Sequence, residues 1–166
     1  MTNIQNSKVR NTIGFIVVLG ITFAAAAAGG WASANAPGFY GVLNQPSWSP
    51  PAAVFGPVWT VLYLLMAVAA WLVWKEGWKQ EVRRALSFYL AQLMLNALWT
   101  WVFFVWRLGG WALAEISVLW VLILLTTIGF YRVRPLAGLL LVPYLAWVTF
   151  AAALNTVLWR MNPQLL

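Results

Sequence analysis

Between Asn35 and Tyr63 the chain carries no Asp, Glu, Lys, Arg or His, yet it is crowded with rings: Pro37, Tyr40, Pro46, Trp48, Pro50, Pro51, Pro57, Trp59 and Tyr63. The chemistry open to such a stretch is flat apolar contact, with indole and phenol faces for stacking and proline for rigidity. Loops that face water depend instead on charge and on Ser, Asp and Asn turn chemistry. This one reads as a structured lid folded back over a membrane-embedded pocket, not as a disordered linker.

Two further stripes share that character. Tyr89, Gln92, Asn96, Trp99, Thr100 and Phe103 recur at i, i+3/i+4 spacing and so lie on one helix face. Amides are costly in lipid, which points Gln92 and Asn96 inward. Interhelical hydrogen bonding and the wall of a ligand pocket both fit them. A similar stripe holds Pro143, Trp147, Ala151, Leu154 and Asn155, with Pro143 expected to bend its helix. Trp147 falls mid-span, away from the interfacial belts that tryptophan prefers, so it is read as inward-facing or ligand-contacting. Trp71, Trp74, Trp78, Trp106, Trp111 and Trp159 fall near span ends, where belt anchoring explains most of them. Trp120 is mid-span without polar neighbours, which favours a lipid-facing or packing role.

Other chemistries are excluded by what is missing. The chain has no Cys and no His, and its three acids are Glu76, Glu81 and Glu115. Thiolate chemistry, histidine bases, metal clusters and paired-carboxylate hydrolysis therefore have no residues to carry them. Glu115 is expected to act as an interfacial acid paired with Arg107 or Arg160.

The elements that must position these groups are membrane spans. Of 166 residues, 63% are hydrophobic and 8% charged, against about 25% charged in soluble domains. Apolar runs long enough to cross a bilayer fall at about 12–34, 53–74, 85–106, 110–130 and 136–159. Their continuity favours helices over barrel strands. The expected fold is an all-α, five-helix transmembrane bundle over residues 12–162 with a long structured first loop, flanked by an N-terminal segment 1–11 and a tail 163–166. In the first helix Ala26, Gly30 and Ala34 form a small-residue seam, for packing within the chain or between two copies. By alternation, Lys8, Arg10, Lys75, Lys79, Arg83, Arg84, Arg132 and Arg134 share one side, while Arg107 and Arg160 lie on the other. The positive-inside rule then places the N-terminus in the cytoplasm and the first loop and C-terminus outside. The net charge of +7 is split among short inter-span segments, which gives no groove for nucleic acid.

The motifs, taken in order, resemble a known family. They are Gln45-Pro46-Ser47-Trp48-Ser49-Pro50-Pro51, Phe55-Gly56-Pro57-Val58-Trp59-Thr60-Val61-Leu62-Tyr63, Trp74-Lys75-Glu76, Gln92-Leu93-Met94-Leu95-Asn96 and Phe103-Phe104. Gly110-Trp111-Ala112-Leu113, Pro143-Tyr144-Leu145-Ala146-Trp147, Leu154-Asn155 and Trp159-Arg160 complete the set. Over about residues 12–162 the chain is similar to the tryptophan-rich sensory protein and translocator protein family, the peripheral benzodiazepine receptors. That resemblance implies a five-helix bundle, often a homodimer, with a pocket beneath the first loop. It implies porphyrin, especially protoporphyrin IX, as ligand or substrate, with haem, sterols and synthetic isoquinoline or benzodiazepine ligands as others. It also implies a porphyrin-binding receptor or sensor with a role in tetrapyrrole handling and stress response, in a bacterial cell membrane. Trp48, Phe55, Val58, Trp59, Tyr63, Asn96, Trp99, Phe103, Trp111, Trp147, Ala151 and Leu154 would line its site. No cofactor or metal is required. In the family picture Trp59 and Trp147 carry a light-dependent breakdown of porphyrin, which makes an enzyme the first alternative. A transporter of porphyrin or another amphipathic solute is the second, although five dissimilar spans show no clear repeat. With no His or Cys, only Met66, Met94 or a Tyr remains as an axial ligand, which favours a metal-free porphyrin. Arg107 and Arg160 are the cations near the outer mouth, as partners for its propionates.

Three positions depart from the family pattern. Ala52-Ala53 follow the paired prolines where a Trp is frequent. Trp101 stands where many members have a proline after the third-helix Trp-Thr. Thr156 replaces the Tyr of the sterol-recognition pattern, which argues against sterol at that place.

Overall fold

The computed structural model describes the backbone of residues 2–166 and the side chains of residue 9 and of residues 11–166. Lys8 and Arg10, counted in the charge asymmetry, lie outside the described side chains. Five long helices run α1 (Thr2–Ala32), α3 (Phe55–Trp74), α4 (Gln80–Thr100), α5 (Gly109–Val133) and α6 (Pro135–Met161), and a short α2 (Ala36–Val42) sits in the first loop. All five long helices are long and apolar enough to span a bilayer, as the apolar runs predict. Among the described residues there is no strand. The helices close a ring in the order α1, α3, α6, α5, α4 and back to α1.

Local sequence explains the breaks. Pro37 enters the first turn of α2, where a missing N–H costs nothing. Pro50 and Pro51 end the lid before a short 3₁₀ turn, Ala52–Val54, that feeds α3. Gly77 supplies the left-handed backbone between α3 and α4, with φ 93°. The α5–α6 connection is a single extended residue, Arg134, followed by Pro135 at the first position of α6. So tight a hairpin needs Gly138, where a Cβ would lie 2.5–2.8 Å from Cβ, Cα and N of Tyr131. The helix α6 runs unbroken through Pro143.

One segment is not legible as an apolar run. After Thr100 the third span continues as a π-helical turn, Trp101–Val105. The family proline absent at Trp101 is thus not needed to deform the helix there. A widened turn rotates the residues beyond it, and such turns concentrate at functional sites.

The core is built from Met66, Ala69, Ala70 and Val73 on α3, Tyr89 and Leu93 on α4, Ile116, Leu119 and Ile123 on α5, and Leu141, Tyr144 and Val148 on α6. A second cluster docks the lid, with Phe39, Tyr40 and Leu43 against Phe103, Ala112, Leu154 and Leu158. Ile16, Trp31, Met94, Val118 and Leu139 are each more than half exposed, as lipid-facing residues should be. Arg134 pairs with Glu76 at 3.0 Å, which joins the α3–α4 and α5–α6 connections at one end of the bundle.

Candidate functional site

A cavity of about 520 Å³ opens beneath the lid, within the roughly 300–1,000 Å³ range of ligand pockets. Its wall comes from Phe23, Ala26, Gly29 and Gly30 on α1, Ser33 just after it, Ala36, Pro37 and Tyr40 on α2, and Ala52, Ala53, Phe55, Gly56, Trp59, Thr60 and Tyr63 at and after the 3₁₀ turn. Asn96, Trp99 and Thr100 on α4, Phe104 in the π turn, and Trp147 and Ala151 on α6 complete it. Helix α5 contributes nothing to the wall.

The aromatic side chains brace one another. Trp147 meets Phe55 edge-on at 6.0 Å, and Phe55 meets Tyr40 at 5.4 Å. Trp59 leans on Tyr63 at 5.7 Å and on Tyr144 at 6.2 Å. Trp99 stacks on Phe103 at 5.1 Å with 17° between the planes. The indoles are thus held in place by other rings before any ligand arrives.

Beneath the cavity runs a hydrogen-bond chain with a fixed direction. Gln92 directs its Nε2 at the Met66 sulfur, 4.0 Å away, which can only accept. Its Oε1 accepts the Tyr144 proton at 2.8 Å. The Tyr144 oxygen then accepts from Asn96 Nδ2 at 2.9 Å, which leaves Asn96 Oδ1 to accept from Tyr63 at 2.5 Å. The other cavity hydroxyls also donate into the protein. Ser33 gives its proton to the Gly29 carbonyl at 3.0 Å, Thr60 to Gly56 at 2.9 Å and Thr100 to Asn96 at 3.4 Å. Tyr40 donates to Ser49 and the Pro50 carbonyl. A ligand therefore meets hydroxyl oxygens as acceptors. Among the described residues no Lys, Arg, Asp or Glu lines the wall.

The lid is tied to the end of α6. Asn162, 4% exposed, accepts the Asn44 N–H at 2.8 Å and donates to the Asn44 carbonyl at 2.9 Å. Its second amide proton goes to the Leu158 carbonyl at 2.8 Å. Gln45 donates to the Tyr40 carbonyl, which joins the two halves of the lid.

The TspO/MBR family model matches residues 15–160 of this sequence. The chain belongs to the TspO/MBR family. It is 44% identical over 126 residues to the human Translocator protein, covering 75% of each chain. It is 44% identical over 126 residues to the Tryptophan-rich protein TspO of Chlorobaculum tepidum, covering 75% of this chain and 80% of that one. With the Tryptophan-rich sensory protein of Cereibacter sphaeroides it shares 45% over 125 residues, covering 75% and 77%.

In this TspO/MBR chain, seven of the residues named from sequence meet at the cavity: Phe55, Trp59, Tyr63, Asn96, Trp99, Trp147 and Ala151. Five lie off its wall. Trp48 is half exposed and reaches the site through Phe150, which it meets at 5.8 Å and which leans on Trp147 at 5.5 Å. Val58 packs on the main core. Phe103 is buried behind Trp99, and Leu154 is buried in the cluster that docks the lid. Trp111 is 72% exposed on α5.

The contribution of α1 escaped the sequence reading. Ala26 and Gly30, taken as a packing seam, border the cavity, and a Cβ at Gly30 would meet nothing within 4 Å. Gly29 borders the cavity as well and is also a packing position, since its Cβ would lie 3.3 Å from Thr100 Oγ1. Every-fourth-residue smallness is common to seams and to cavity walls; Phe23 and Ser33 on the same stripe were the distinguishing signal. Two expectations are corrected. Glu115 pairs with neither Arg107 nor Arg160, since both of its carboxylate oxygens are buried without a hydrogen-bond partner. The Arg107 guanidinium lies instead over the Phe39 ring, 4.7 Å from its centroid. Trp120 does have a polar neighbour, donating to Thr149 Oγ1 at 2.8 Å.

Proposed function

We propose that this chain binds a metal-free porphyrin in the cavity beneath its lid, as a membrane receptor for tetrapyrroles. The observation that carries the reading is the wall itself: Phe55, Trp59, Trp99 and Trp147 around a volume of about 520 Å³ with no ionisable Lys, Arg, Asp or Glu. A flat π-surface stacks on such faces, and its apolar area leaves the lipid–water boundary at little desolvation cost. Metal-free ring is favoured over haem because neither methionine named as an axial ligand borders the cavity, and the two tyrosines that do, Tyr40 and Tyr63, keep their protons in hydrogen bonds to protein partners. Met66 is fully buried and accepts from Gln92, and Met94 is 69% exposed on the outer face of α4. The charge bias supports a reading with the N-terminus in the cytoplasm and the lid outside, and the membrane proposed for it is a bacterial cell membrane.

The test is a titration of purified protein in lipid nanodiscs. Protoporphyrin IX is expected to quench tryptophan fluorescence with micromolar affinity, about 8 kcal/mol. Haem should bind no more tightly. Haem affinity more than tenfold higher, with a six-coordinate spectrum, overturns the metal-free reading.

A second reading has its own support. Trp59 and Trp147 both face the cavity, and Trp59 is in ring contact with Tyr63 and Tyr144. A light-excited porphyrin could take one electron from either indole, with dioxygen as the oxidant that then attacks the ring. Trp59→Phe and Trp147→Phe keep most of the aromatic area and remove the easily oxidised indole. Binding should hold within about 1.5 kcal/mol while light-driven bleaching falls sharply. Unchanged bleaching in the double variant leaves the protein a binder only.

A further inference from the structure

The main cavity cannot neutralise an anion, because no cation lines it. A second cavity, of about 550 Å³, adjoins it between the end of α1, α2 and the end of the π turn. The two share Ala36 and Phe104 as a common wall. The second cavity holds Arg107, together with Asn35 and Phe39. Arg160, the other cation at this end, lines neither.

Three features make Arg107 more than a stray surface charge. Its backbone is left-handed, with φ 56°, and it is the single non-glycine residue with positive φ among those described. An L side chain adopts that region at a cost, so the position is one where glycine would be the easier choice. Its guanidinium face lies over Phe39 at 4.7 Å, which leaves the N–H edge to donate in plane. Among the described residues it has no carboxylate partner. Among the described residues the one ion pair is Arg134–Glu76 at the opposite end, and Glu115 is buried away from it.

We infer that Arg107 forms a carboxylate subsite in the second cavity, which receives an acidic arm of a planar ligand whose ring lies in the main one. The inference rests on the tetrapyrrole reading above and adds where the acid goes. A ligand carboxylate left inside the main cavity would be a desolvated charge with no counter-ion. Ala36 is the low point of the shared wall, since its side chain ends at Cβ. Across it lies the one guanidinium at this end that borders a cavity. A fork of N–H donors fits a carboxylate in two parallel hydrogen bonds.

The experiment compares protoporphyrin IX with its dimethyl ester in nanodiscs of zwitterionic lipid, by tryptophan quenching. The wild type is expected to bind the diacid at least tenfold more tightly than the diester. Arg107→Gln should lower diacid affinity to about the diester level and leave the diester unchanged, which also shows the cavity intact. Arg107→Gly suits the left-handed backbone, so it should fold at least as well and lose the same discrimination. Arg107→Lys should restore part of it, and Arg160→Gln should keep it in full. Equal binding of diacid and diester by the wild type overturns the subsite and leaves the tetrapyrrole reading standing. So does diacid affinity in Arg107→Gln within twofold of wild type, or an equal loss in Arg160→Gln. A phospholipid phosphate as the true occupant would appear as loss of diacid discrimination in detergent-free anionic bilayers and its presence in zwitterionic ones; discrimination absent from both overturns the subsite. Failure of both porphyrins to bind the wild type removes the tetrapyrrole reading and this subsite with it.

Discussion

Replacing Asn162 by Ala should loosen the lid while leaving the bundle intact. The Asn162 side chain makes three hydrogen bonds, and two of them grip the backbone of Asn44 across the whole sequence. A protein hydrogen bond contributes about 1 kcal/mol net, so the two lid bonds are worth about 2 kcal/mol, near a thirtyfold change in the opening equilibrium. The full penalty for an orphaned buried group does not apply, because Asn44 is itself exposed and water can replace the lost partner. The lid does not fall off. Phe39, Tyr40 and Leu43 remain buried against the end of the bundle, and each large apolar side chain holds about 1.5–3 kcal/mol.

Hydrogen–deuterium exchange in nanodiscs reads the effect directly. The amides of Leu43, Asn44 and Ser49, which bond to Tyr40, Asn162 and Pro46, should lose protection by about thirtyfold. Amides in the middle of α3 and α5 should not change. Lid protection within threefold of wild type would refute the latch. Loss spread along residues 150–161 instead would mean that Asn162 serves chiefly as a terminus for α6 through its bond to Leu158.

Two further substitutions test the packing account. Glu76→Gln removes the ion pair with Arg134, whose side chains are each 38% exposed; surface pairs are worth less than about 1 kcal/mol, so the thermal midpoint should move by no more than about 4 °C. Gly138→Ala places a methyl group 2.5–2.8 Å from Tyr131 atoms, two of them backbone; overpacking of about 1–3 kcal/mol should lower that midpoint well beyond the Glu76 variant, and an equal or higher midpoint would show that the α5–α6 hairpin has room to spare.

The helical architecture was legible because lipid leaves only continuous apolar runs or closed barrels as solutions, and the runs here are continuous. What apolarity cannot report is local backbone. Trp101–Val105 is as apolar as any helical turn, so nothing in its composition marks a π turn. The first helix shows the same limit for the site. Its Ala and Gly positions read as a seam because closeness to a neighbouring helix and openness to a cavity select the same small residues. Gly29 and Gly30 both border the cavity, and Gly29 also packs close to Thr100, so one short stretch serves both ends. Glu115 was misplaced for a related reason. A charge near a span end invites pairing with the nearest arginine in sequence, but the left-handed turn at Arg107 sends that guanidinium to Phe39 on the lid.

The polar residues of α4 show why a choice between packing and pocket could not be made from sequence. Gln92 and Asn96 do both jobs through one chain of bonds. Gln92, fully buried, fixes the direction of the chain against Met66, and Asn96 delivers that direction to Tyr63 at the cavity wall. The same atoms that join α3, α4 and α6 therefore determine that the Tyr63 hydroxyl faces a ligand as an acceptor. Reversing that polarity would require turning every amide and hydroxyl between Met66 and Tyr63. Tyr144 is the link where the chain passes from α4 to α6 and back. A phenyl ring in its place would keep the packing against Trp59 while freeing Asn96 to turn. Stability and ligand preference at this wall are coupled through Tyr144, even though it is not among the cavity-lining residues.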